Sequence, residues 1–225
     1  MMRLPEISTP SIAIADSDAR FPVRRIYCVG QNYADHAREM GGDPGREEPF
    51  FFSKPADAVV ASGRTLAFPR GTANLHYEAE LVIALGAGGS DIAVGDAAAL
   101  IFGHAVGIDL TRRDLQTAAK QKGQPWDMAK GFDQSAPIGP LAPGAPPTSG
   151  AIALTLNGAP RQESDLANMI WRVDEIIAKL STLVTLAAGD LIFTGTPAGV
   201  GPIVRGDTVR ATVAGVAPVE VTFAA

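Results

Sequence analysis

Glycine and proline place the tightest limit on what this chain can become. Its 225 residues include 24 Gly and 17 Pro. Residues that end helices and turn strands so often leave room only for short elements joined by tight turns. Such punctuation favours a β-rich architecture over a helical bundle. Hydrophobic residues at 46% and charged residues at 19% are those of a chain that buries a core, which sets aside disorder, collagen-like repeats and coiled coil. There is no internal repeat, linker or composition break, so the expectation is one β-rich α+β domain with a few short helices.

Charge and cysteine content exclude several function classes. The net charge is −5 with no basic block, so the electrostatic footprint of a nucleic-acid binder is missing and anionic membrane surfaces are disfavoured. Cys28 is the only cysteine; no intrachain disulfide forms, and the reducing cytoplasm is the expected compartment. No apolar run reaches the length of a membrane span or a signal-peptide core.

Local patterning predicts the elements. Arg25–Val29 reads as a strand stopped by Gly30, followed by a helix over Tyr33–Met40 capped by Asn32 and ended by Gly41 and Gly42. A mobile loop is expected over 43–49, then an aromatic strand at Phe50–Lys54 halted by Pro55. His76–Leu85 reads as the longest strand, and Ile101–Asp109 as another. Thr111 is expected to cap a helix that turns Leu115, Ala118 and Ala119 inward and ends at Gly123. Asn157-Gly158 signals a hairpin. Apolar spacing predicts a helix over Asp174–Leu186, and strands close the chain at Leu191–Thr194, Thr208–Val213 and Val219–Phe223.

Glu78 and Glu80 stand two apart on a predicted strand, which points both carboxylates to one face. One reading is a solvated strand edge. The other follows from the apolar run behind them: buried like charges need a cation. Asp109 ends a second apolar strand with the same problem, and a Glu-Glu-Asp set of hard oxygen ligands suits Mg²⁺ or Mn²⁺. Zinc is disfavoured, with three histidines and no Cys cluster. His76 lies near the glutamates as a fourth ligand or as a residue that supports one, and His104 reads as a satisfied core residue. His36 and Glu39, three apart, share a helical face, either as a fortuitous exposed pair or as a carboxylate-oriented base. Gly42 and the loop beyond would hinge that helix as a lid. No nucleophile elbow or phosphate loop is present, and Cys28 reads as inert core. The Thr194–Gly201 stretch is either tight-turn geometry or a nest of N–H donors for a substrate carboxylate.

Six segments in order carry a resemblance: 28–36 (CVGQNYADH), 52–55 (FSKP), 78–81 (EAEL), 107–114 (GIDLTRRD), 126–130 (WDMAK) and 194–201 (TGTPAGVG). Together they resemble the fumarylacetoacetate hydrolase (FAH) family, and within it the short single-domain acylpyruvate hydrolases. The resemblance runs from about residue 25 to the C-terminus, so 1–24 is expected to be an extension ahead of a catalytic domain at 25–225. It implies an FAH-type mixed β-roll, usually a homodimer, that cleaves a carbon–carbon bond in a small 2,4-diketo acid. The relatives that decarboxylate oxaloacetate or isomerise hydroxymuconate-type diacids are the alternative. It implies Glu78, Glu80 and Asp109 as ligands of Mg²⁺ or Mn²⁺, and His36 with Glu39 as the water-activating pair. Lys130 matches an active-site lysine. Arg113, Gln116 and Thr196 match positions near the keto-acid end of the substrate. Lys54 also matches, on the substrate side, and Gln31 falls where substrate choice is set. His76 is outside the implied ligand set.

Overall fold

Alternate residues of the central strands enter two different cores, and this explains why they read as unbroken apolar runs. In the computed structural model, which describes residues 4–41, 45 and 47–225, every residue of the Ala79–Leu85 strand is buried. Leu81, Ile83 and Leu85 point into the larger core, and Val82 and Ala84 into the smaller one. The same parity holds in the neighbouring strands. Tyr27 and Val29 face the larger core while Ile26 and Cys28 face the smaller, and Ile192 opposes Leu191 and Phe193 in the same way.

These strands belong to an eight-stranded mixed sheet. Its order is Phe51–Lys54, Arg25–Val29, Asp190–Phe193, Ala79–Leu85, Ile101–Ile108, Ala136–Ile138 and Val59–Ala61, with Ala142–Pro143 also pairing on Ile101–Ile108. Asp190–Phe193 runs parallel to Arg25–Val29 and antiparallel to Ala79–Leu85. A five-stranded sheet of Ala159–Asp165, Ala151–Leu156, Thr208–Val213, Val216–Phe223 and Arg64–Leu66 contributes Ile152, Leu154, Val209, Val221 and Phe223 to the larger core. The smaller core is covered by a hairpin of Ser11–Ala13 and Arg20–Pro22, through Ile12 and Phe21. Strands thus dominate, as expected of the FAH-type roll. Four short α-helices are described: α1 (Ala34–Glu39), α2 (Arg113–Lys122), α3 (Asp127–Lys130) and α4 (Val173–Leu183). None is long and apolar enough to cross a membrane.

Several expectations need correction. The stretch His76–Leu85 is two strands, Leu75–Tyr77 and Ala79–Leu85, broken at Glu78. The first joins a small sheet with Thr111–Arg112 and Gly201–Ile203, so the chain passes between sheets at the glutamate. The longest described strands are Ile101–Ile108 and Val216–Phe223. Asn32 does not cap α1. It is fully buried, donates to Thr194 O (2.8 Å) and Trp171 O (2.9 Å), and accepts from Trp171 N (2.7 Å). Its oxygen is turned toward Trp171 N, as its two donors are toward distant carbonyls, so the side chain faces away from the helix N–H groups. Thr111 does not cap α2 either. The inward side chains of that helix are Arg113 and Gln116, while Ala118 is exposed, because α2 lies over a polar site and not over apolar core. Helix α4 stops at Leu183, with Val184 extended. Gly42 and three residues of the expected mobile loop, Asp43, Pro44 and Arg46, lie outside the described residues. The Asn157-Gly158 hairpin forms as expected, with positive φ at both residues (54° and 80°).

Not every glycine is a turn. Gly103 lies inside a strand, where a Cβ would meet Ala142 O at 2.4 Å. Gly103→Ala is therefore expected to cost roughly 1–3 kcal/mol, since the obstacle is backbone that must retreat. Gly95→Ala, with nothing within 4 Å, should change stability by less than about 0.5 kcal/mol. Denaturation midpoints of the two variants check this.

His104, on the same strand, is buried, with Nδ1 3.4 Å from Gly144 O. Burial pushes its pKa below the ordinary histidine value, against a smaller opposing effect of that carbonyl. The unfolded chain, with an ordinary value of about 6.5, then binds the proton more readily than the folded one. Stability should fall as pH drops through and below that value. Denaturation midpoints between pH 7 and 5 should decline less in His104→Gln than in the parent.

Candidate active site

Sheet register brings the three carboxylates together. Ala79 pairs with Ile108 and Glu80 with Gly107, and Asp109 N donates to Glu78 O at 2.8 Å. One ligand oxygen from each of Glu78, Glu80 and Asp109 lies within 4.8 Å of the others, and all three residues are buried. Ionised together, they would repel strongly.

Three cations compensate them. Lys130, on α3, donates its ammonium hydrogens to Glu78 Oε2 (2.8 Å), Asp109 Oδ2 (2.6 Å) and Thr111 Oγ1 (2.7 Å). Arg113, at the start of α2, donates to Glu78 Oε1 at 2.5 Å. Lys54, at the end of its strand, donates to Lys130 O (2.5 Å) and Leu110 O (3.1 Å), with Nζ 2.8 Å from Asp109 Oδ1. Lys54 lies outside the cavity lining. Burial would raise the Glu78 pKa, but Lys130 and Arg113 outweigh it and hold the carboxyl well below its usual range. Glu80 accepts from Gly195 N at 2.7 Å. Burial, and then the charges of Asp109 and Glu78, push its pKa well up.

These residues fit a divalent cation. Asp109 Oδ1 is close to the Lys54 ammonium but off the direction of a hydrogen bond, and it is left a buried acceptor without a hydrogen-bond donor. Three hard oxygen donors, one of them orphaned, are what a Mg²⁺- or Mn²⁺-type ion takes. His76 offers no ligand atom to the cluster. Burial and then Arg113 lower its pKa to about 4, so its neutral ring accepts from Arg113 Nε (3.4 Å) while Nε2 meets Asn74 Oδ1 (3.0 Å).

Helix α1 carries the second group. One helical turn places His36 Nδ1 3.0 Å from Glu39 Oε2, with His36 buried and Glu39 partly exposed. A carboxylate only accepts, so Nδ1 carries a proton, and in the neutral ring the lone pair is on Nε2. Glu39 Oε1 accepts from Gly199 N at 3.1 Å. His36 lines the same cavity as Glu78, Glu80 and Lys130. Arg113, Gln116, Thr196 and Gln31 supply polar wall, and Phe50 and Trp126 apolar wall. Arg113 also donates to Gln116 Oε1 at 2.5 Å.

Some site contacts had no legible signal. Thr111 completes the Lys130 shell, and Gln162, on the Ala159–Asp165 strand, holds the loop that contains Thr196 through Nε2 bonds to Thr196 Oγ1 (2.9 Å) and Pro197 O (2.7 Å). Neither stands at a spacing that marks chemistry. The Thr194–Gly201 stretch turns at Gly195 and Gly199, both at φ 96°, and these two N–H groups serve Glu80 and Glu39 of the chain itself. Cys28 is buried in the smaller core, and burial pushes its thiol pKa well up.

The profile described as "Fumarylacetoacetate (FAA) hydrolase C-terminal" matches residues 25–224. A fumarylpyruvate hydrolase of Ralstonia sp is 45% identical over 182 residues, covering 80% of this chain and 95% of its own. An oxaloacetate tautomerase of Escherichia coli (strain K12) is 40% identical over 196 residues, covering 85% and 89%. The crystal structure of fumarylpyruvate hydrolase from Pseudomonas aeruginosa in complex with Mn²⁺ and pyruvate superposes with a TM-score of 0.96 at 50% identity. It covers 99% of each chain.

Removing one partner from a buried ion cluster is costly. Lys130→Met should destabilise the metal-free protein by roughly 3–5 kcal/mol, because Glu78 and Asp109 lose their shared cation. Added Mn²⁺ should then raise the denaturation midpoint of the variant more than that of the parent. Equal shifts would contradict the charge compensation described here.

Proposed function

The chain belongs to the fumarylacetoacetate hydrolase family, and from that premise we propose that it is a divalent-cation-dependent hydrolase of 2,4-diketo acids. The expected substrate is an acylpyruvate, fumarylpyruvate in particular, cut with water to fumarate and pyruvate. The observation that carries this reading is the meeting of His36, backed by Glu39, with Glu78 and Glu80, which cluster with Asp109, on one cavity. The manganese and pyruvate of the Pseudomonas aeruginosa relative support it.

Glu78, Glu80 and Asp109 hold the Mg²⁺ or Mn²⁺, which when bound supplies Lewis acidity toward the keto-acid oxygens of the substrate. Arg113, Gln116 and Thr196 bind the keto-acid end. His36 Nε2 takes a proton from water while Glu39 holds the Nδ1–H, so that the water oxygen bonds to the C4 carbonyl carbon. The C3–C4 bond then breaks with its electron pair moving into the pyruvate enolate, and the proton is returned to C3. Lys130 has its hydrogens committed to Glu78, Asp109 and Thr111, so it acts on the enolate charge as a nearby cation. Lys54 positions Asp109 and the Lys130 backbone.

The 40% identity to an oxaloacetate tautomerase favours a second reading on the same site, enolisation or decarboxylation of oxaloacetate; a hydroxymuconate-type isomerisation belongs to the same group. These reactions need no activated water, so the dyad discriminates. The family match starting at residue 25 supports 25–225 as the catalytic domain behind an extension at 1–24. A homodimer, on the resemblance alone, in the reducing cytoplasm expected of a chain with one cysteine completes the reading.

Loss of diketo-enol ultraviolet absorbance, followed with fumarylpyruvate and oxaloacetate in parallel, tests the choice. Fumarylpyruvate should be turned over to equimolar fumarate and pyruvate, and His36→Ala should lower kcat by about 10²–10⁴. Carbon dioxide release from oxaloacetate with fumarylpyruvate untouched would overturn the hydrolase reading.

A further inference from the structure

The Ala159–Asp165 strand fully buries one residue, and that residue is Gln162. Packing alone would place an apolar side chain there, because a buried amide is tolerated only when its hydrogen bonds are made. Three of this amide's four hydrogen-bonding directions are used, both donors among them. Oε1 accepts from Ala79 N at 2.9 Å, and Nε2 donates to Thr196 Oγ1 at 2.9 Å and to Pro197 O at 2.7 Å. Ala79 stands between Glu78 and Glu80, so one side chain ties the carboxylate strand to the Thr196–Gly199 loop.

That loop rests on the same strand. A Cβ on Gly199 would meet Arg161 O at 2.2 Å, and its φ of 96° belongs to the left-handed region. Gly199 in turn directs its N–H to Glu39 Oε1 at 3.1 Å, while the other oxygen of Glu39 meets His36 Nδ1 at 3.0 Å. A continuous path of hydrogen bonds and backbone therefore runs from Ala79 through Gln162 and the loop to Glu39 and His36.

We infer that Gln162 is a positioning residue for the His36–Glu39 pair: it fixes the Thr196–Gly199 loop against the carboxylate strand, so that the Gly199 N–H holds Glu39 in the orientation that sets His36. This rests on the reading of His36 and Glu39 as the water-activating pair. Gln162 touches neither the reacting atoms nor the cavity, and its effect passes through Glu39.

A double-mutant cycle on fumarylpyruvate hydrolysis tests it. Gln162→Met removes all three hydrogen bonds at similar volume. Gln162→Asn, one methylene shorter, keeps a polar amide that spans only one side, and serves if the first variant fails to fold. Either should lower kcat roughly 10- to 100-fold, the scale of an ångström-size misplacement, and by less than threefold in a Glu39→Gln background. The proton signal of His36 Nδ1–H, assigned by its absence in His36→Ala, should shift in both Gln162 variants. An equal kcat loss in both backgrounds, or an unmoved His36 signal, would overturn the inference and leave the dyad standing. A Glu39→Gln variant with undiminished kcat would instead overturn the dyad reading itself.

Discussion

Three carboxylates packed within 4.8 Å of one another in the interior must be met by positive charge, since desolvation costs several kcal/mol per ion. Much of the surrounding architecture follows from that requirement. Lys54 arrives from an edge strand, Lys130 from a single turn of helix and Arg113 from the first turn of α2. These three segments would otherwise have little reason to converge. Helix α2 shows the consequence: its buried face is arginine and glutamine because it covers charge. The compensation is uneven. Glu78 and Asp109 share the cations, whereas Glu80 has a backbone N–H and, among the described residues, no ammonium or guanidinium in contact. The carboxylate without a cation and the orphaned oxygen of Asp109 are where a metal ion relieves the cluster most.

The fold supplies rigidity for this arrangement through its two cores. A strand covered on both faces cannot slip register by one residue without exchanging Leu81, Ile83 and Leu85 with Val82 and Ala84 between cores of different shape. Register is what sets Glu80 opposite Gly107 and Asp109 beside Glu78. The break at Glu78, where the chain leaves one sheet for another, gives that side chain a direction that a continuous strand would not. The dyad is held more lightly, on a six-residue helix whose Glu39 is partly exposed.

The legible parts of the sequence were those with local causes. Arg25–Val29 and Thr208–Val213 matched their strands to the residue, the Asn157-Gly158 turn formed, and the triad and dyad stood out as chemistry-bearing types at suggestive spacings. Illegible parts had distant causes. Asn32 and Thr111 looked like helix caps because each stands before a helix, yet their partners, Trp171, Thr194 and Lys130, are far along the chain. The His76–Leu85 run looked continuous because both of its pieces are buried, and apolar content does not record a change of sheet. Gln162 carried no signal, since a lone glutamine in a strand acquires meaning only from what it faces. Lys54, Arg113 and Lys130 drew attention through family resemblance, and their shared role as counter-charges emerged from the distances.

The central claim is that this cluster is a divalent-cation site serving hydrolysis of a diketo acid. The most direct measurement is fumarylpyruvate turnover by protein stripped with chelator and then titrated with Mn²⁺. The account expects negligible turnover in the stripped protein and a rate that rises with bound metal to a plateau at one ion per chain. Full turnover by the stripped protein, with no change on adding Mn²⁺, would contradict it.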